Sequence, residues 1–164
     1  MARGETGTAI TQSVLDRLID REPDSQAERP PTRPQSVRQL KAAVRRDLEW
    51  LLNTRRNPEA APDAASELVH SLYVYGLPDI TSFSLNSTKD QNRLAWLLEN
   101  AIKEFEPRLK AVRVRMESPG SGLRALRFQI EGMLAMDPVA ERVTFDTLLE
   151  LTSGSYRVKG ESGA

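Results

Sequence analysis

At Pro107 the hydrophobic period of this chain changes, and that change limits the fold more than any other feature. In "KEFEPRLKAVRVR", residues 103–115, a helical pattern ends and an alternating one begins. Upstream, Val37, Leu40, Val44, Leu48 and Leu51 recur at spacings of three and four, as do Leu94, Leu98, Ala101, Ile102 and Phe105. Each set is one stripe of an amphipathic helix. Downstream, Val112, Val114 and Met116 alternate with Arg113 and Arg115, and Leu126, Phe128 and Ile130 alternate with Arg127, Gln129 and Glu131. Val143, Phe145, Thr147, Leu149 and Leu151 form a third such run, opposed by Arg142, Asp146 and Glu150. Period two marks strands buried on one face. Helices followed by consecutive strands with short turns predict an α+β fold. Two main helices should lie on one face of a small, mostly antiparallel sheet.

The boundaries follow from local chemistry. Residues 1–9 are small and polar and are expected to be mobile. In "SVLDRLID" Ser13 can cap a short helix with Val14, Leu15, Leu18 and Ile19 on one face. So short a helix must dock on something, either its own domain or a neighbour. Residues 21–35 carry four prolines and read as a linker. The sequence thus divides into a flexible N-terminal arm (1–35) with a short helix, a folded domain (36–160) and a disordered tail (161–164). Ser36 is the expected N-cap of the first long helix, which should stop before Asn57-Pro58. "LVHSLYVYGLPDITS" is a short strand or an irregular segment. Asn86 or Ser87 caps the second long helix, and Asp90 suits its first turn. "SPGSG" is a turn.

Composition excludes several function classes. The chain has 164 residues, 23 basic and 23 acidic, with 39% hydrophobic and 5% aromatic residues. A neutral balance removes the usual electrostatic case for nucleic acid or an anionic membrane as main partner. There is no cysteine, hence no disulfide framework and no thiolate zinc site. The N-terminus lacks a secretory apolar run, and no segment approaches the roughly 18 apolar residues of a membrane helix. A cytoplasmic protein without a cofactor is expected.

Few residues invite a chemical reading. Glu104 and Glu106 are the one acid pair that looks placed, and two carboxyls about 5–10 Å apart would suit a glycosidase. No aromatic-lined cleft accompanies them, so salt-bridged helix-end acids are the plainer reading. His70, the single histidine, has no companions for a metal site or a triad and reads as a packing or surface residue. No glycine-rich phosphate loop is present. Arg113 and Arg115 make a solvated row that guards an edge. The Glu106-Pro107-Arg108 corner has more content. Pro107 fixes its own φ and turns Glu106 out of the helical region, so both charges sit on a stiff joint. Arg108 presents a planar fork of donors. The corner can clamp helix to sheet within the domain, or it can be a socket for a partner.

"AIKEFEPRLKAVRV", with "YGLPDITS" and "RLAWLLENAI" before it and "LRFQIEG" and "VTFDTLLEL" after it, resembles the TssE baseplate proteins of type VI secretion. These are related to the lysozyme-like wedge component of contractile phage baseplates. The resemblance covers roughly residues 36–158. It implies a non-enzymatic adaptor in the membrane-docked baseplate that contacts other wedge subunits and the contractile sheath, and seeds the sheath by strand addition. It also implies a wedge-core contact for Glu106, Pro107 and Arg108. The Tyr75-Gly76-Leu77-Pro78-Asp79 turn fits the family and reads as structural. The edge expected to receive a sheath strand is the segment after Phe145 or its continuation "SYRVKG". The alternatives are a peptidoglycan-cleaving muramidase, as the family label suggests, and the equivalent wedge subunit of a phage tail.

Overall fold

A computed structural model describes residues 10, 12–19, 32–62, 65–84, 87–117, 125–150 and 152–160. The expected mobile ends at 1–9 and 161–164, most of the 21–35 linker, Asn86, the "SPGSG" turn and Leu151 lie outside these residues. Among the described residues three α-helices come first: α1 (Val14–Leu18), α2 (Arg33–Asn53) and α3 (Thr88–Phe105). Between α2 and α3, residues Ser66–His70 and Leu72–Val74 form two 3-10 turns, so the apolar "LVHSLYVYG" stretch is irregular rather than a strand. Four strands follow: β1 (Leu109–Met116), β2 (Ala125–Leu134), β3 (Glu141–Glu150) and β4 (Ser155–Val158). They form one sheet in the order β1-β2-β3-β4, and every neighbouring pair is antiparallel. The α+β class and the helices-then-sheet order hold.

The stripes pack as the periods require. Leu40, Val44, Leu48 and Leu51 of α2 and Leu94, Leu98, Ala101 and Ile102 of α3 are buried. They meet Val112, Val114, Leu126, Phe128, Ile130, Val143, Phe145, Leu149, Tyr156 and Val158 from the inner face of the sheet. Each fully buried aliphatic or Phe side chain contributes about 1.5–3 kcal/mol relative to exposure. Val37 is only half-buried.

Two boundaries differ from the sequence reading. Helix α2 begins at Arg33, not after Ser36. Thr32 is its N-cap, in a capping box with Gln35, and Pro34 sits in the first turn, where its missing N–H leaves no gap. Ser36 lies inside the helix, buried, with its hydroxyl donating to Thr32 O at 3.2 Å. Helix α2 stops before Asn57-Pro58 as read, at Asn53. Asn53 is needed elsewhere: its side-chain amide donates to Tyr156 O and accepts from Tyr156 N, both at 2.8 Å. Lastly, "SYRVKG" is not a continuation of β3. The chain turns at Gly154 (φ 68°), and β4 pairs back on Thr147–Glu150. The part of β3 from Thr147 to Glu150 is therefore flanked on both sides and is no edge.

The outer strands are not bare either. Glu49 accepts from Val158 N at 3.1 Å, so together with Asn53 helix α2 closes the outer edge of β4. On β1, Glu99 of α3 accepts from Val114 N at 2.8 Å. Side chains that occupy edge groups keep a sheet from pairing at random.

Candidate functional site

The corner after α3 forms as proline chemistry dictates. Glu106 caps α3 with φ −123° and ψ 73°, outside the helical region, and its N–H still donates to Ile102 O at 2.8 Å. The chain turns through Pro107, with Leu109 N donating back to Glu106 O at 3.0 Å. Arg108 then folds onto Glu106. Its Nε donates to Glu106 Oε1 at 2.6 Å and its Nη2 to Glu106 Oε2, a bidentate fork. Nη2 also donates to Asp47 Oδ2 of α2 at 2.6 Å. The corner is thereby tied to α2, and Ala135 N donating to Arg108 O at 2.7 Å ties it to the end of β2.

The network continues beyond the triplet. Arg46 donates from Nε to Asp47 Oδ1 at 2.9 Å and from Nη1 to Asp16 Oδ1 of α1 at 2.7 Å. Ser13 caps α1 and donates to Asp16 Oδ2 at 2.5 Å. Glu106, Arg108, Asp47, Arg46 and Asp16 thus alternate in sign across the corner, α2 and α1. Glu106 is 3% exposed and Asp16 7%. Burial alone works against the charge on Arg108, but hydrogen bonds to Glu106 and then Asp47 outweigh it and hold its pKa above the ordinary arginine value. Burial likewise opposes ionised Asp16, and Arg46 and Ser13 overcome it to hold its pKa below the usual carboxylate value. Two donors of the network, Arg108 Nη1 and Arg46 Nη2, are buried without a hydrogen bond among the described residues, although Arg46 Nη2 lies 2.8 Å from Asp47 Oδ1.

Beside the network is an open concavity of about 320 Å³, lined by Ser13, Trp50, Tyr75, Phe105 and Pro107 together with Asp47, Glu106 and Arg108. Tyr75 stands edge-on to Phe105 with centroids 5.1 Å apart. Arg46 lies over the Trp50 ring at 5.0 Å. Burial, then the negative charges of Asp47 and Glu106, push the Tyr75 phenol up from its ordinary pKa.

The sequence brings Glu106, Pro107 and Arg108 together, as read. It did not bring in Asp47, Arg46 or Asp16. Ser13 and Asp16 had a usable signal, since a Ser followed three residues later by an acid is a helix-start pattern. Nothing local marks Asp47. The apolar stripe of α1 is the larger surprise. The helix docks by its polar side, through Asp16. Val14, Leu15, Leu18 and Ile19 remain 64%, 42%, 76% and 43% exposed.

Glu104 and Glu106 are committed to different partners. Glu106 lines the concavity and Glu104 does not. Glu104 Oε1 lies 2.7 Å from His70 Nδ1 at the surface. That hydrogen bond, with the charge of Glu104, raises the His70 pKa above its ordinary value. A His pKa raised by folding contributes stability below the unfolded pKa of about 6.5, and loses it as pH rises through the folded pKa. An NMR titration is expected to place the His70 pKa above its ordinary value, falling toward it in Glu104→Gln. Equal pKa values in the two proteins would show that the pair does not persist in solution.

Among the described residues, no group of His, Asp and Glu is arranged to hold a metal ion. No helix of the described residues is long and apolar enough to cross a membrane. A family model described as baseplate wedge protein gp25 matches residues 38–139, a span holding most of α2, all of α3, β1 and β2, and the Glu106-Pro107-Arg108 corner. No curated protein and no solved structure matches the chain.

Proposed function

The chain belongs to the baseplate wedge gp25 family, which takes in the TssE proteins of type VI secretion, and from that premise we propose a structural adaptor. It joins wedge subunits to the contractile sheath of a type VI secretion machine, on the cytoplasmic side at the membrane-docked baseplate. The family is a structural baseplate family. The muramidase reading gains nothing from Glu104 and Glu106, which are engaged by His70 and Arg108 respectively.

Beyond family membership, the orientation of α1 carries this reading. A short amphipathic helix that turns four apolar residues outward leaves unburied the surface that normally justifies such a helix. A partly buried ion pair between Asp16 and Arg46 holds it in that pose. In this reading the apolar face of α1 meets a neighbouring wedge subunit. The adjoining corner of Glu106, Pro107 and Arg108, whose side chains line the concavity, meets the wedge core. A sheath strand has less to displace along β1 than along β4, where Asn53 and Glu49 hold Tyr156 and Val158.

The test is Leu15→Ser with Leu18→Ser in the full chain. Both side chains are exposed, so the unfolding midpoint should stay within about 0.5 kcal/mol of wild type. Pull-down of wedge subunits and sheath polymerisation in cells should both fall sharply. Unchanged assembly would remove α1 from the interface. A large loss of stability would mean that the stripe packs within the protein itself.

A further inference from the structure

The outward face of the sheet is not used by the corner or by α1, and its charges are uneven. Strand register places Lys110, Arg113, Arg115, Arg127, Arg142, Arg157 and Lys159 on it, seven basic side chains against the four carboxylates of Glu117, Glu131, Asp146 and Glu150. The chain as a whole is neutral, so folding has concentrated positive charge here.

Three of these carboxylates are already engaged, and the fourth, Glu117, stands opposite Arg127 at the end of β1. Glu131 pairs with Arg115 at 3.2 Å and with Arg142 at 2.8 Å. Asp146 accepts from Gln129 Nε2 at 3.0 Å. Glu150 accepts from Ser153 Oγ at 2.8 Å. Arg127 and Arg157 are left over: both are exposed, and neither makes an ion pair or side-chain hydrogen bond among the described residues. They are not scattered. Arg127 of β2 and Arg157 of β4 both register with Leu148 of β3, one on each side, so an Arg-Leu-Arg row crosses three strands. Leu148 is a half-buried apolar residue between the two arginines.

We propose that this row is a docking site for an acidic amphipathic helix of a partner protein, its carboxylates on Arg127 and Arg157 and an apolar side chain over Leu148. The spacing selects the helix. Two interstrand steps separate the arginines by about 9.6 Å. Helix positions i and i+7 are about 10.5 Å apart on one face, and i+3 or i+4 falls between them. A strand partner matches less well, because its same-face residues repeat every 6.6–6.8 Å. Arginine forks give such carboxylates directional pairing that a solvated lysine row would not.

The probe is a synthetic helical peptide with glutamates seven residues apart and leucines at the intermediate positions, titrated into the full-length protein. Amide shifts should cluster at Arg127, Leu148 and Arg157. Affinity should fall at least tenfold in Arg127→Glu/Arg157→Glu, and a peptide with lysines in place of the glutamates should recover it there. Both substitutions are at exposed positions, and an unchanged melting curve confirms the fold. Equal binding of a scrambled peptide of the same charge would overturn the proposal, because the spacing would then not matter. So would the absence of shifts at Leu148. Tighter binding of a single-stranded oligonucleotide to the same residues would also overturn it, in favour of a phosphate-binding face.

Discussion

Replacing Arg108 with alanine is expected to destabilise the isolated protein by about 3 kcal/mol, at the low end of the 3–5 kcal/mol typical for breaking a buried pair. The reason is Glu106, which is 3% exposed and takes both arms of the Arg108 fork. Without Arg108 its carboxylate keeps only the backbone N–H of residue 108, a 3.3 Å contact. The Arg108 side chain itself is a quarter exposed, so water partly screens the loss. Asp47 suffers less, because Arg46 still holds it. A urea midpoint measures the effect. The double variant Glu106→Leu/Arg108→Met removes both charges and should recover much of the stability. A single variant as stable as wild type would mean that the fork contributes nothing to the fold.

This expectation changes how any assembly experiment on the corner is judged. Clamp and socket are not exclusive readings. Arg108 serves Glu106 and Asp47 within the chain, and only its Nη1 is left over. A loss of wedge recruitment in Arg108→Ala could therefore come from a loosened corner. The double variant separates the two effects. If it is as stable as wild type and still fails to recruit wedge subunits, the corner is an interface. If it recruits normally, the corner is only a clamp.

The legible part of the molecule was what sequence encodes locally. The switch at Pro107 gave the class because periodicity is a property of neighbours. The Glu106-Pro107-Arg108 corner was legible for the same reason. The start of α2 was also encoded, in Thr32 and Gln35. The prolines around it suggest an extended linker, whereas Pro34 sits harmlessly in a first turn. What was not legible depends on distance. Helix α2 ends at Asn53 because that side chain serves β4, 103 residues away. Arg108 finds Asp47 across 61 residues. With 23 bases and 23 acids in the chain, only topology decides which meet. Helix α1 depends on distance too. Its sequence leaves open whether the apolar face packs on its own domain or on a neighbour, and it is Arg46, 30 residues away, that turns the polar side inward through Asp16.

Gly76→Ala is the other substitution expected to be severe, costing about 3–5 kcal/mol. Gly76 has φ +101°, a conformation that strains an L-residue by about 1–3 kcal/mol. A Cβ there would also meet Thr54 O at 2.4 Å and Thr54 C at 2.9 Å, closer than real atoms approach. That carbonyl cannot easily move, because it accepts from Leu77 N at 2.8 Å, and Arg56 N donates back to Leu77 O at 2.8 Å. Relief of the clash therefore sacrifices the link between the end of α2 and the Tyr75–Asp79 turn, each lost bond adding about 0.5–1.5 kcal/mol. Gly154→Ala is the control. Its φ is +68° and nothing lies within 4 Å of the added Cβ, so it should show strain alone, about 1 kcal/mol. The consequence reaches the corner through Tyr75, the residue before Gly76, which packs on Phe105 and walls the concavity. Near-ultraviolet circular dichroism should report a disturbed Tyr75 in Gly76→Ala and a native signal in Gly154→Ala. If both variants unfold at the same denaturant concentration, the turn yields without loss, and it does not hold the wall of the site.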